Sequence, residues 1–168
     1  MTTTNRLKIM KRIHSEKWRE RYFNLAREYA SWSKDPSTGV GSIAVSANKQ
    51  ILSEGWNGFP RGIRDSPSRL QDRETKLHYI VHSEKNLIYN ATKNGIALDG
   101  AIVYVYGLPV CSECAKGLIQ AGVIDVNVLT HGKVADRWVE SWKKTTDMFD
   151  EVGISYEWVT MDSGPDWS

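Results

Sequence analysis

One constellation constrains this chain more than any other feature: the triplet His82-Ser83-Glu84 and the quartet Cys111-Ser112-Glu113-Cys114, which begins 29 positions after His82. The triplet stands at the start of a stretch with helical periodicity. The quartet opens another helix directly after a strand-like run, and one strand lies between the two sets. One imidazole and two thiolates occupy three tetrahedral positions of a zinc ion and leave the fourth open, the mark of a catalytic rather than a structural site. Cysteines at i and i+3 on a first helical turn can both reach one ion. Helix N-termini favour anionic thiolates and hydroxide through their dipole and free N–H groups. Glu84, two residues past the histidine, can meet a metal-held water without ligating the metal.

Each piece alone has a plainer reading. A lone histidine or glutamate is usually a structural or solvated side chain, and Glu113 reads as a solvated helix charge. A C-x-x-C pair also suits a thiol redox motif, but such a motif has no use for H-x-E on the preceding helix. With only 2 cysteines, three positions apart, the chain cannot build a disulfide framework. The joint pattern carries the zinc reading.

The remaining elements follow from periodicity. Trp18, Tyr22, Leu25, Tyr29 and Trp32 recur at helical spacing and predict a helix from about Lys17 to Ser31, ended by the turn-rich SKDPSTG. VGSIAVSA and KQILSEGW predict a hairpin turning at Asn48-Lys49, and NGFPRGIRDSPSRLQDRETK a long polar loop. From about Tyr79 to Lys93, Ile80, Glu84, Leu87, Ile88 and Ala91 trace an inward stripe. AIVYVYG, VIDVNVLT and ISYEWVT read as strands, and CSECAKGLIQAG as a helix closing at Gly122. Val134, Trp138, Trp142, Thr145, Phe149 and Val152 define a further amphipathic helix. The order αββαβαβαβ implies an α/β fold: one domain over residues 1–168, with a five-stranded mixed sheet between helices and right-handed crossovers in its second half. Residues 1–16 and 160–168 are expected to be peripheral tails.

A formal charge of +2 gives no support for a long nucleic-acid partner, and no apolar run reaches the ~20 residues of a membrane span. The basic N-terminus lacks the apolar stretch of a secretory signal, so a soluble cytoplasmic protein is expected.

H-x-E followed by C-x-x-C is the signature of the zinc nucleotide and nucleobase deaminases, a superfamily in which zinc activates water and a glutamate moves protons. Ser33-Lys34-Asp35-Pro36-Ser37-Thr38-Gly39 and Gly55-Trp56-Asn57-Gly58-Phe59-Pro60 resemble the deoxycytidylate deaminases in particular, over roughly Trp18 to Trp158. The resemblance implies a cytidine-deaminase-like α/β/α fold. It implies hydrolysis of dCMP to dUMP for thymidylate synthesis, one Zn2+ on His82, Cys111 and Cys114, and Glu84 as the proton carrier. It further implies nucleoside contact by Asn57. The substrate-binding candidates are Asn57, Gly58, Ser83, Lys34, Ser37 and Thr38, the last three for a 5′-phosphate; Arg61 and Arg64 are further phosphate or allosteric candidates. Many relatives are oligomers regulated by dCTP and dTTP, so a homo-oligomer, hexamer or dimer, is expected. Two departures stand out: Ser83 replaces the family's usual alanine, and Val110 separates Pro109 from Cys111. The rival readings are deaminases of cytidine, deoxycytidine or adenosine in tRNA, and a non-catalytic zinc module.

Overall fold

The computed structural model describes residues 12–161. Their elements run α1 Glu16–Ser31, β1 Gly41–Val45, β2 Ile51–Trp56, α2 Pro67–Gln71, α3 Arg73–Tyr79, α4 Ser83–Lys93, β3 Ile102–Gly107, α5 Ser112–Gln120, β4 Asp125–His131, α6 Asp136–Val152 and β5 Ser155–Met161. The sheet order is β2-β1-β3-β4-β5. β1 pairs antiparallel with both β2 and β3, whereas β3, β4 and β5 are parallel and joined through α5 and α6. This is the expected five-stranded mixed sheet in an α/β fold.

Helices cover both faces, as burial of both sides of β1 and most of β3 and β4 requires. Ile43, Val45, Ile102 and Tyr104 pack against Tyr22 of α1. On the other face Val103, Val105, Val126 and Val128 join Leu87 of α4, Leu118 of α5, and Trp142 and Phe149 of α6. Among the described residues no helix is long and apolar enough to cross a membrane.

Three expectations change. The polar segment after β2 is not a continuous loop but contains α2 and α3. Pro67 sits at the first turn of α2, where its missing N–H costs nothing, and Glu74 lies in the first turn of α3. Helices of 5 and 7 residues are too short to show an apolar period. The helix expected from Tyr79 begins at Ser83, because Ile80 and His82 are extended and Val81 pairs with Gly58 in an antiparallel bridge. The aromatic stripe of α1 is also displaced. Arg19, Tyr22, Ala26 and Ala30 face inward, while Leu25 and Trp32 remain 37% and 50% exposed. The helix lies so close to β1 that a Cβ at Gly41 would meet the Ala26 carbonyl and the Ala30 nitrogen, so alanines face the sheet at that end of α1.

The tail boundaries shift too. Arg12 pairs with Asp125 at 3.0 Å, and His14 is buried, with Nδ1 2.9 Å from the Tyr104 hydroxyl and Nε2 3.0 Å from the Ser46 carbonyl oxygen. At the other end Thr160 and Met161 belong to β5. Residues 1–11 and 162–168 of the expected tails lie outside the described residues.

α4 is fastened to β2 by side chains that reach across to backbone. Ser53 donates to the Leu87 carbonyl, Asn86 to that of Trp56 and Asn90 to that of Glu54, each at 2.7 Å. The contact is close enough that a Cβ on Gly55 would collide with the Ser83 carbonyl oxygen and the Leu87 nitrogen. Gly55→Ala is therefore expected to destabilise the protein by roughly 1–3 kcal/mol and to lower its metal content, because α4 carries His82. Thermal unfolding and elemental analysis check this, and wild-type values for both would refute it.

Candidate active site

Two helix starts converge at the ends of β2 and β3. His82 is the N-cap residue of α4, and Cys111 is the N-cap residue of α5, its sulfur accepting from the Cys114 amide at 3.5 Å. The loop before Cys111 is anchored from α6, where Thr145 donates to the Val110 carbonyl at 2.8 Å. Val110 itself is fully buried. The valine that separates Pro109 from Cys111 is thus a core side chain, and its insertion is absorbed by packing.

His82 Nδ1 lies 3.4 Å from Cys111 Sγ and 3.5 Å from Cys114 Sγ, and the three donor atoms fall within 4.8 Å of one another. Zinc bonds of ~2.0 Å to nitrogen and ~2.3 Å to sulfur, at tetrahedral angles, separate ligand atoms by roughly 3.5–3.8 Å. The donors fit the ion in type, number and spacing. Their electrostatics agree. The hydrogen bond from the Cys114 thiol, with His82 beside it, holds Cys111 down to about 4. Cys114 is pushed up because Cys111 leaves it the shared proton and because it is buried. The Cys111 hydrogen bond raises His82.

Glu84 is 4% exposed, and burial raises its carboxyl above the usual range, with His82 pulling in the opposite direction. Ser83, fully buried beside it, donates to Glu84 Oε2 at 3.1 Å. Both side chains line a cavity of about 290 Å³ together with His82 and Cys111. Ligand cavities of about this size and larger accommodate small molecules.

The expected substrate-binding residues divide. Ser37, Thr38, Asn57 and Ser83 lie on the cavity wall. Asn57 is buried, its Oδ1 accepting from the Val40 amide at 2.8 Å and its Nδ2 donating to the Thr38 carbonyl at 2.9 Å, so it shapes the wall as well as lining it. Lys34 is not there: its exposed side chain pairs with Asp65 at 2.8 Å. Gly58 is engaged through its backbone in the bridge to Val81. Arg61 is bonded to Asn90, and Arg64 is exposed with its carbonyl accepting from Arg69. None of these four lines the cavity.

Sequence reasoning missed Asp35, Arg73, Lys76, Arg137 and Trp138, all on the wall. Lys76 is 6% exposed, and its Nζ lies 3.0 Å from Asp35 Oδ1 and 2.9 Å from Ser37 Oγ. Recognising α3 would have revealed Lys76 and Arg73, three apart on one helical face. Arg137 and Trp138 follow β4 on the first turn of α6, at the carboxyl end of a parallel strand, where ligands of open α/β sheets collect.

Comparison with known proteins agrees with this geometry. Residues 16–130 match the model of the cytidine and deoxycytidylate deaminase zinc-binding region. The chain is 36% identical over 147 residues to an uncharacterised deaminase of the luxG 3′ region of Aliivibrio fischeri, covering 87% of this chain and 96% of that protein. It is 34% identical over 146 residues to the deoxycytidylate deaminase of Homo sapiens, covering 83% and 78% respectively. Its fold resembles that of the dCMP deaminase of cyanophage S-TIM5, solved in complex with dCMP and dUMP, with a TM-score of 0.68 and 23% identity over 87% of this chain and 99% of that one. The chain belongs to the cytidine and deoxycytidylate deaminase family, and zinc is the cofactor for which its three donors are arranged.

In zinc-stripped protein Cys111, half-buried and with its thiol held down to about 4, is expected to be alkylated by iodoacetamide at pH 6. Buried Cys114, pushed in the opposite direction, should react far more slowly. Peptide mass mapping checks the order, which preferential labelling of Cys114 would reverse.

Proposed function

We propose that this protein hydrolyses dCMP to dUMP and ammonia, using zinc held by His82 Nδ1, Cys111 Sγ and Cys114 Sγ. The observation that carries the reading is a buried carboxyl, Glu84, facing the same cavity as the zinc donors His82 and Cys111 and a cationic cluster suited to a phosphate. When bound there, zinc supplies Lewis acidity that makes water nucleophilic near neutral pH. Glu84 takes a proton from the attacking water, delivers it to N3 of the cytosine and moves a further proton to the departing amine, while the oxygen becomes the C4 carbonyl of dUMP. Burial raises its carboxyl, which favours a group that both accepts and returns a proton near neutrality.

Lys76, with Ser37 and Thr38 beside it, forms the phosphate seat in place of Lys34. Two of the three ammonium donors of Lys76 are used within the protein, on Asp35 and Ser37, which leaves one for the ligand. Arg73 and Arg137 on the same wall add positive charge. This cluster favours a monophosphate over a free nucleoside. The deoxycytidylate deaminases among the relatives act on the substrate that their name states, which supports the same reading.

We also propose a homo-oligomer, hexamer or dimer, because Trp32, Leu77, Tyr79 and Tyr89 are 40–56% exposed. Light scattering at working concentration should give a multiple of 19.1 kDa, and the mass of one chain would refute it. Arg61 and Arg64, outside the cavity, are candidate contacts for dCTP or dTTP as effectors.

Glu84→Gln is expected to keep one zinc per chain and to lose activity on dCMP by roughly 10²–10⁴-fold. Retained turnover would refute the mechanism. Lys76→Met should raise KM for dCMP about ten-fold or more while Lys34→Ala changes it less than two-fold, as steady-state kinetics would report. The opposite pattern would return the phosphate to Lys34.

A further inference from the structure

We propose that Ser83 is a positioning residue for Glu84: its hydroxyl holds the carboxylate in the orientation from which protons move, and does not bind substrate. The inference rests on the deaminase reading and concerns a side chain that the comparisons leave without a role.

Three observations carry it. First, Ser83 Oγ donates to Glu84 Oε2 at 3.1 Å, and no other side chain of the described residues is seen donating to that carboxylate. Both residues are buried, at 0% and 4% exposure, so water does not compete for the bond as it would at a surface. Second, a hydroxyl has one proton to donate, and Ser83 places it on Glu84. That leaves the hydroxyl only lone pairs for a ligand. Third, the backbone of Ser83 is itself fixed. The residue opens α4 directly after the extended His82, and its carbonyl packs against β2 at Gly55, which has no Cβ to obstruct it. The donor is therefore mounted on a fixed frame, whereas the glutamate side chain has three rotatable bonds and needs a restraint to hold a productive geometry.

This assigns a purpose to one of the two positions at which the chain departs from the usual family pattern. With alanine at that position the carboxylate would keep the hydrogen bond from its own backbone N–H but no side-chain donor. With serine it has a directed hydrogen bond inside the cavity.

The test is Ser83→Ala in the zinc-loaded full chain, a substitution that removes one oxygen and introduces no steric conflict. Kinetics on dCMP are expected to show kcat falling about ten-fold with KM within two-fold of wild type. Affinity for dUMP by calorimetry should also remain within two-fold, and zinc should stay at one per chain. A crystal structure of the variant should show the Glu84 carboxylate turned or split between rotamers. Unchanged kcat overturns the proposal. So does a loss borne by KM and dUMP affinity, which would make Ser83 a substrate contact. If the wild-type protein itself fails to deaminate dCMP, the functional reading is what fails, and the two failures are distinguishable.

Discussion

The active site depends on the approach of His82 Nδ1 to two cysteine sulfurs, at 3.4 and 3.5 Å, across the gap between the first turns of α4 and α5. Nothing local to either helix holds it. α4 is placed by β2, through Gly55 and three side-chain-to-backbone hydrogen bonds, and α5 is placed by β3 and the Thr145 bond from α6. β2 and β3 are both paired to β1, so the spacing between the ligands is set by the width of a strand pair and the packing of two helices on it. A rigid, buried sheet is what lets a histidine and two cysteines, distant in sequence, share one ion.

Burial then gives the surrounding groups their chemical character. Glu84 is removed from water, so its carboxyl is raised, and the nearby imidazole limits the rise. Lys76 is equally buried, yet it is paired with Asp35, which offsets the cost of placing an ammonium inside the fold. The same Asp35 oxygen also accepts from the backbone N–H groups of Ser37 and Thr38, so one carboxylate both neutralises the lysine and shapes the loop that lines the cavity. The cavity lining thus carries a buried carboxyl at Glu84 and a buried, paired ammonium at Lys76.

Much of this was legible in the sequence, and the exceptions have physical causes. The zinc site of His82, Cys111 and Cys114 was readable because metal ligands demand particular side chains at particular spacings. The central strands were readable because most of their buried positions are apolar, although β4 also buries Asp125 and Asn127, which are bonded to each other. What stayed hidden depended on contacts between distant segments. Lys34 stands next to the DPST turn and looked like the phosphate residue, but its side chain turns outward to Asp65. Lys76, 41 positions from its partner Asp35, lines the cavity instead, on a helix too short to show a period. The aromatic stripe of α1 misled for a related reason: the contact at Gly41 selects Ala26 and Ala30 over the larger side chains around them.

Deamination at zinc coupled to recognition of a 5′-phosphate in this cavity is the proposal that a comparison of two substrates tests. The most direct measurement is kcat/KM of the zinc-loaded wild-type protein for dCMP and for deoxycytidine, with ammonia release followed in both. A preference for dCMP of about a hundred-fold or more, with one ammonia per dUMP formed, is the predicted result. Equal use of the two substrates, or no ammonia from either, would contradict it.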